Sequence, residues 1–162
     1  MRGFTLLEVI GVLSLFSILA LTLVTSFQFD PTRLELAEER LINDLQYAKS
    51  LAMSRGGRFG IFFEPAFERY TVFQTSIATP VLDPANRAQN LVVNYSTDIH
   101  FSGLNLVSAT FGGSATLLFD AQGTPRSGNG NALTTTGTIV ISNSAGTASI
   151  TVSPEVGRIV GL

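Results

Sequence analysis

The sequence predicts an α+β fold in which a long N-terminal helix packs against an antiparallel β-sheet or small sandwich. Three observations predict it. From Phe4 to Phe29 the chain is one apolar run whose only ionisable side chain is Glu8. Residues 30 to 55 carry a narrow apolar stripe at helical spacing, and the remainder reads as short β-rich runs separated by turn residues.

Composition bounds the function before any motif is read. The 162 residues suffice for one domain and an appendage. Only 14% are charged and the net charge is -2, with a single lysine among ten basic residues. A broad nucleic-acid face needs clustered Lys and Arg, so it is not expected. With no cysteine, disulfides, thiolate metal sites and thiol catalysis are excluded.

The apolar run is the first element. As an α-helix its 26 residues would extend about 39 Å, more than the ~30 Å of a hydrocarbon core. A cleaved secretory signal fits badly, because the run is too long and no A-x-A site follows. A plain anchor leaves Glu8 unexplained, since an ionisable residue in such a segment is a functional marker. On a helical projection Glu8, Gly11, Ser14, Thr22 and Thr25 fall on one face about 120° wide. Small and hydroxyl residues on one stripe let helices approach closely, so Gly11, Ser14, Thr22 and Thr25 are candidates for helix packing.

Gly3-Phe4-Thr5-Leu6-Leu7-Glu8, followed by the apolar run, resembles the class III signal of type IV pilins and pseudopilins. The resemblance implies that a prepilin peptidase cuts after Gly3 and N-methylates Phe4, which leaves 1–3 as a leader. That leader is shorter and less basic than is usual for the family. Glu8 then stands at the family's assembly position. Cleavage would create an α-amine with an ordinary pKa of about 7.7 to 8.0. A carboxylate and an ammonium ~4 Å apart attract by roughly 4 kcal/mol at an effective dielectric near 20, before desolvation. Each charge is costly alone in low dielectric, so Glu8 of one subunit and Phe4 of another are expected to set the register of assembly.

The second element spans 30–55. Asp30-Pro31 is a helix-start pair, or a kink in one continuous helix. Leu34, Ala37, Leu41, Leu45, Ala48 and Ala52 form the apolar stripe, while Glu35, Glu39, Arg40, Asn43, Asp44 and Gln46 are placed on the other faces. Arg40 and Asp44 have i,i+4 spacing, and Gly56-Gly57 ends the helix. In the β-rich domain, 56–162, strands are expected at Phe59–Phe63, Tyr70–Thr75, Leu91–Tyr95, Ile99–Leu106, Ala115–Phe119, Thr138–Ser142, Ala148–Val152 and Val156–Val160. Residues 79–90 and 127–131 read as loops.

Leu118-Phe119-Asp120 with Gly123 and Pro125, the strands at 138–142 and 148–152, and the terminal Gly157-Arg158 are similar to the GspH/FimT minor pseudopilins. That resemblance implies a pilin-like fold. It implies a single pass of the bacterial inner membrane by 4–29, with the C-terminal domain in the periplasm. Its implied partners are other pilins or pseudopilins, the prepilin peptidase and the inner membrane.

No residue pattern favours catalysis, and no cofactor is expected. His100 is the only histidine, and Asp98 with His100 on one strand face would make a poor metal site. No G-x-S-x-G elbow is present. Gly112-Gly113-Ser114 lacks the lysine of a phosphate loop and reads as a turn, and Asn94-Tyr95-Ser96 matches a glycosylation triplet in a strand context. FimT-type members that bind DNA carry a C-terminal Gly-Arg-x-Arg; here Gly157-Arg158-Ile159-Val160 lacks the second arginine. Arg158 and, in another loop, Arg126 are the candidate DNA contacts, against a solvated Arg158 or one paired with Glu155. The reading is a minor pseudopilin of type II secretion. The alternatives are a FimT/FimU-like minor pilin of type IV pili, a DNA-binding subunit for uptake, and a plain anchor.

Overall fold

The computed structural model describes residues 5–25 and 30–162, with side chains over 5–20 and 31–162. Helix α1 runs Leu6–Thr25 and helix α2 runs Asp30–Arg55. Expectations for Gly3, Phe4 and the side chains of Thr22, Thr25 and Asp30, including capping by Asp30, lie outside the described residues. Among the described residues, no helix is long and apolar enough to cross a membrane.

Helix α2 is amphipathic, and its stripe faces the core. Ala37, Leu41, Leu45, Ala48 and Ala52 are fully buried, and Leu34 packs at the edge. The helix stops because Gly56 takes φ +64°, while the Gly57 amide donates to the Ala52 carbonyl at 3.3 Å. That is the six-to-one bond of a Schellman ending, which glycine enters without a Cβ clash.

Nine strands follow among the described residues: β1 Phe59–Glu64, β2 Arg69–Gln74, β3 Val92–Asn94, β4 Asn105–Thr110, β5 Thr116–Phe119, β6 Pro125–Ser127, β7 Gly137–Asn143, β8 Gly146–Val152 and β9 Ile159–Gly161. They form two antiparallel sheets, ordered β3-β2-β1-β5-β6 and β4-β7-β8-β9. Helix α2 lies against β1 of the first sheet and against β7, β8 and β9 of the second. Alternation drives this burial: Ile139 and Ile141 of β7, with Ala148, Ile150 and Val152 of β8, point inward at every second residue. Aromatic rings fill the centre, with Phe63 lying 5.8 Å from Tyr70 and 5.6 Å from Phe111 between centroids.

The α+β architecture is the one the sequence predicts, with three local differences. Ile99–Leu106 is not one strand. Asp98 accepts a bond from the His100 amide at 2.9 Å and starts a 3-10 turn over Ile99–Phe101, so β4 begins only at Asn105. A local Asp acceptor competes with the ladder for the same amide, and the strand-face pairing of Asp98 with His100 therefore does not form. Val156–Val160 begins as a turn, because Gly157 at φ +57° directs the chain back before β9. Finally, β6 is an edge strand opening on Pro125, a position where the missing amide costs no ladder bond.

Candidate functional site

The described part of α1 presents an apolar surface with one carboxylate. Every residue from Thr5 to Ala20 is exposed, including Leu6, Leu7, Ile10, Leu13, Phe16 and Ile18. Thr5 starts the helix: the Glu8 amide donates to Thr5 Oγ1 at 3.3 Å and to the Thr5 carbonyl at 3.1 Å. Thr5-Leu6-Leu7-Glu8 is thus half of a capping box, with Glu8 in the first turn where the helix dipole favours negative charge. The sequence reading missed this role, although Thr-x-x-Glu before an apolar run is its signature. Glu8 also borders a shallow groove lined by Val9, Val12 and Leu13.

On the face predicted for packing, a Cβ at Gly11 would meet nothing within 4 Å. The Ser14 hydroxyl donates to the Gly11 carbonyl at 2.8 Å and Ser17 donates to Leu13 at 2.9 Å. The Ser14 hydroxyl is satisfied by its own helix, as is that of Ser17 on a neighbouring face, so neither demands an outside partner. Glu8, Gly11 and Ser14 lie within two turns of one another on this face.

The two arginine candidates differ. Arg126 is committed to its own loop: its Nε lies 2.8 Å from Asp120 Oδ2 and its guanidinium donates to the Gly130 carbonyl at 3.3 Å. Asp120 also accepts the amides of Gln122 at 3.0 Å and Thr124 at 2.9 Å. Burial pushes the Asp120 carboxyl up, but the Thr124 and Gln122 amides and Arg126 together hold it below the ordinary value. Arg158 is exposed; its amide donates to Ser153 Oγ at 3.0 Å, and among the described residues it makes no ion pair with Glu155. The turn before it is tied to α2, since Lys49 Nζ donates to the carbonyls of Val156 at 2.7 Å and Gly157 at 3.1 Å.

One buried polar cluster escaped the sequence reading. Asp44, assigned to an outer face, is only 5% exposed. It accepts the Tyr70 hydroxyl at 2.7 Å and pairs with Arg40 at 3.1 Å, and Arg40 reaches Asp83 at 3.8 Å. Burial raises the Asp44 carboxyl, opposed by Tyr70 and Arg40. Burial likewise pushes the Tyr70 phenol well above its ordinary value.

The remaining motifs are structural. Gly112-Gly113 turns the chain between Phe111 and Ser114, which exchange backbone bonds at 2.8 and 3.2 Å. Asn94 Oδ1 accepts the amide and hydroxyl of Ser96 at 2.9 and 2.6 Å. Among the described residues no His, Asp or Glu cluster is placed to hold a metal.

An apolar leading helix, then an amphipathic helix laid across two antiparallel sheets, is a pilin-like arrangement, and the family it belongs to is one of structural subunits and not of enzymes. Residues 37–155 match the family described as type II transport protein GspH, and the chain belongs to that family. The minor pseudopilin EpsH of the Vibrio cholerae type 2 secretion system has a similar fold. It gives a TM-score of 0.58 at 16% identity, over 80% of this chain and 96% of that one. The Pseudomonas aeruginosa type IV minor pilin FimU is also similar, with a TM-score of 0.51 at 23% identity over 80% and 88%. A comparison with curated proteins finds no match.

Proposed function

We propose that the chain is a minor pseudopilin of a type II secretion pseudopilus. It is cleaved after Gly3, N-methylated at Phe4, and built into the filament through the helix that begins there. In the precursor that helix crosses the bacterial inner membrane once and leaves the β-rich domain in the periplasm. On assembly, Glu8 of one subunit pairs with the Phe4 amine of another, and Gly11, Ser14, Thr22 and Thr25 form the face where helices meet.

The observation that carries this reading is the contrast in exposure. The domain closes its own core, whereas α1 leaves all its described apolar side chains uncovered. A surface of that size calls for lipid or other helices, not water. The lone carboxylate at its start needs a cation in either setting.

The test is the extracellular proteome of a deletion strain against its complemented parent, together with material sheared from the cell surface. Loss of secreted enzymes with sheared pilin retained is the expected result. Loss of pilin alone would make the chain a minor pilin of a type IV pilus. If neither changes, uptake of DNA becomes the function to measure, through salt-sensitive binding that weakens on Arg158→Ala.

A further inference from the structure

A second uncovered apolar patch lies on the β-rich domain, at the N-terminal end of α2. A shallow groove of about 250 Å³ between the first turns of α2 and the Ile99–Phe101 turn is lined by Thr32, Arg33, Leu36, Ile99 and His100. Ile99 is 80% exposed and Leu36 is 52% exposed. The turn that presents Ile99 is held in several ways. Arg33 Nη1 donates to the Ser102 carbonyl at 3.3 Å, and the Phe101 ring meets Tyr95 edge-on at 5.6 Å between centroids. The Phe101 amide donates to the Asp98 carbonyl at 3.1 Å. No carboxylate lines the groove; Asp98, next to Ile99 in sequence, is turned to the His100 amide at 2.9 Å.

Chain length limits what can cover this patch. The apolar run ends at Phe29 and α2 starts at Asp30. The link to Asp30 and the helical rise beyond it put Leu36 at most about 14 Å from Phe29. The headgroup layer of a bilayer is roughly 5 to 8 Å thick on each side of the hydrocarbon. An upright α2 would carry Leu36 just clear of that layer, and a tilted α2 lays the groove into it. The side chains suit the layer. Two aliphatic groups match the acyl boundary, while Arg33 brings a cation for lipid phosphate, with the Thr32 hydroxyl and the His100 ring beside it.

We infer that this groove docks on the headgroup layer of the bilayer that holds the apolar run, with Ile99 and Leu36 at the acyl boundary. The inference rests on the membrane-crossing reading of residues 4–29 and deepens it: the waiting subunit is leaned over onto one side of its domain, not left to swing on its anchor. Two side chains bind weakly by themselves, but the short tether makes docking intramolecular. The contact is therefore reversible, and it is released when the subunit leaves the bilayer for a filament.

The cysteine-free chain allows single labels to test this. Full-length protein carries a fluorophore at Ser102→Cys, beside the groove, or at Ile77→Cys. It is placed in phosphatidylethanolamine–phosphatidylglycerol vesicles containing a lipid spin-labelled in its headgroup. Ile77 is the control: the turn that carries it is bonded through Thr75 to Arg58, beyond the far end of α2, and that helix puts about 33 Å between Arg33 and Arg55. Quenching is expected at Ser102→Cys and not at Ile77→Cys. Adding Ile99→Asp and Leu36→Asp should lower the ratio of docked to undocked copies about tenfold. Quenching at Ser102→Cys that survives both substitutions reports the tether alone and overturns the inference, as does its absence from the start. Quenching lost on diluting the protein in the vesicles makes a second copy the occupant, and overturns it too. Circular dichroism of each variant separates misfolding from a lost contact. A label at Leu13→Cys, read with an acyl-chain spin label, separates the two claims. Leu13→Cys quenched with Ser102→Cys unquenched keeps the membrane-crossing reading and removes the docking. Leu13→Cys unquenched removes that reading, and the docking with it.

Discussion

The two helices of this chain contrast in the way that matters most for its biology. Helix α1 is apolar nearly throughout, yet every described side chain on it is exposed. Helix α2 is polar on average, yet it buries five alanine and leucine side chains completely. Apolar content alone therefore does not say where a helix is covered. Periodicity does: the stripe on α2 matches the hollow between two sheets, while the described side chains of α1 are covered by nothing else among the described residues. One helix stabilises the fold, and the other is free to serve assembly.

That contrast can be broken most severely at Glu8. Glu8→Ala is expected to abolish incorporation into filaments and secretion, while the denaturant midpoint of the β-rich domain stays unchanged. Retained secretion in that variant would favour a plain anchor. Next in size, Leu45→Ala should cost the domain about 2 to 5 kcal/mol by leaving a cavity under both sheets. Leu13→Ala in α1 should leave urea unfolding of the same domain where it was. Comparing the two melts tests directly whether the helices are energetically separate.

A smaller loss, about 1 to 3 kcal/mol, is expected for Asp44→Ala, because the buried Tyr70 hydroxyl loses its acceptor. Tyr70→Phe in the same background should add little further, and a double-mutant cycle measures this. The smallest effect concerns acid. The Asp120 carboxyl is held below its ordinary value in the fold, so its contribution is present above the ordinary carboxylate range and fades as pH falls through the folded value. The stability gap between the wild type and Asp120→Asn should therefore narrow on acidification. Asp44, raised by burial, acts in the opposite sense: its contribution is largest in acid and declines as pH rises through its folded value.

Much of the fold was legible where spacing carries the information. Leu41, Leu45, Ala48 and Ala52 announce the buried face of α2, and Ile139 with Ile141 announces β7. What escaped depends on partners distant in sequence or on local competition. Asp44 follows Leu41 by three residues and precedes Ala48 by four, so its position belongs to the buried stripe. Its charge argued for the surface until Tyr70, 26 residues on, supplied a partner. The Ile99–Phe101 turn arises from one aspartate oxygen, and β6 is three residues opening on proline; neither gives a periodic signal. The capping role of Thr5 and Glu8 was present as a motif but hidden behind a stronger reason for the same glutamate.

Lys49 has one more consequence. It carries the chain's single ε-amine, and that amine is bound to the carbonyls of Val156 and Gly157 at 2.7 and 3.1 Å. An acylating reagent needs the nitrogen lone pair, and two carbonyl acceptors favour the protonated ammonium, so the amine reacts fastest when the turn lets go of it. The rate of side-chain acylation then becomes a clock for the opening of the 153–158 turn. A neighbouring subunit that grips this corner would slow the clock, and so reveal its presence without any label of its own.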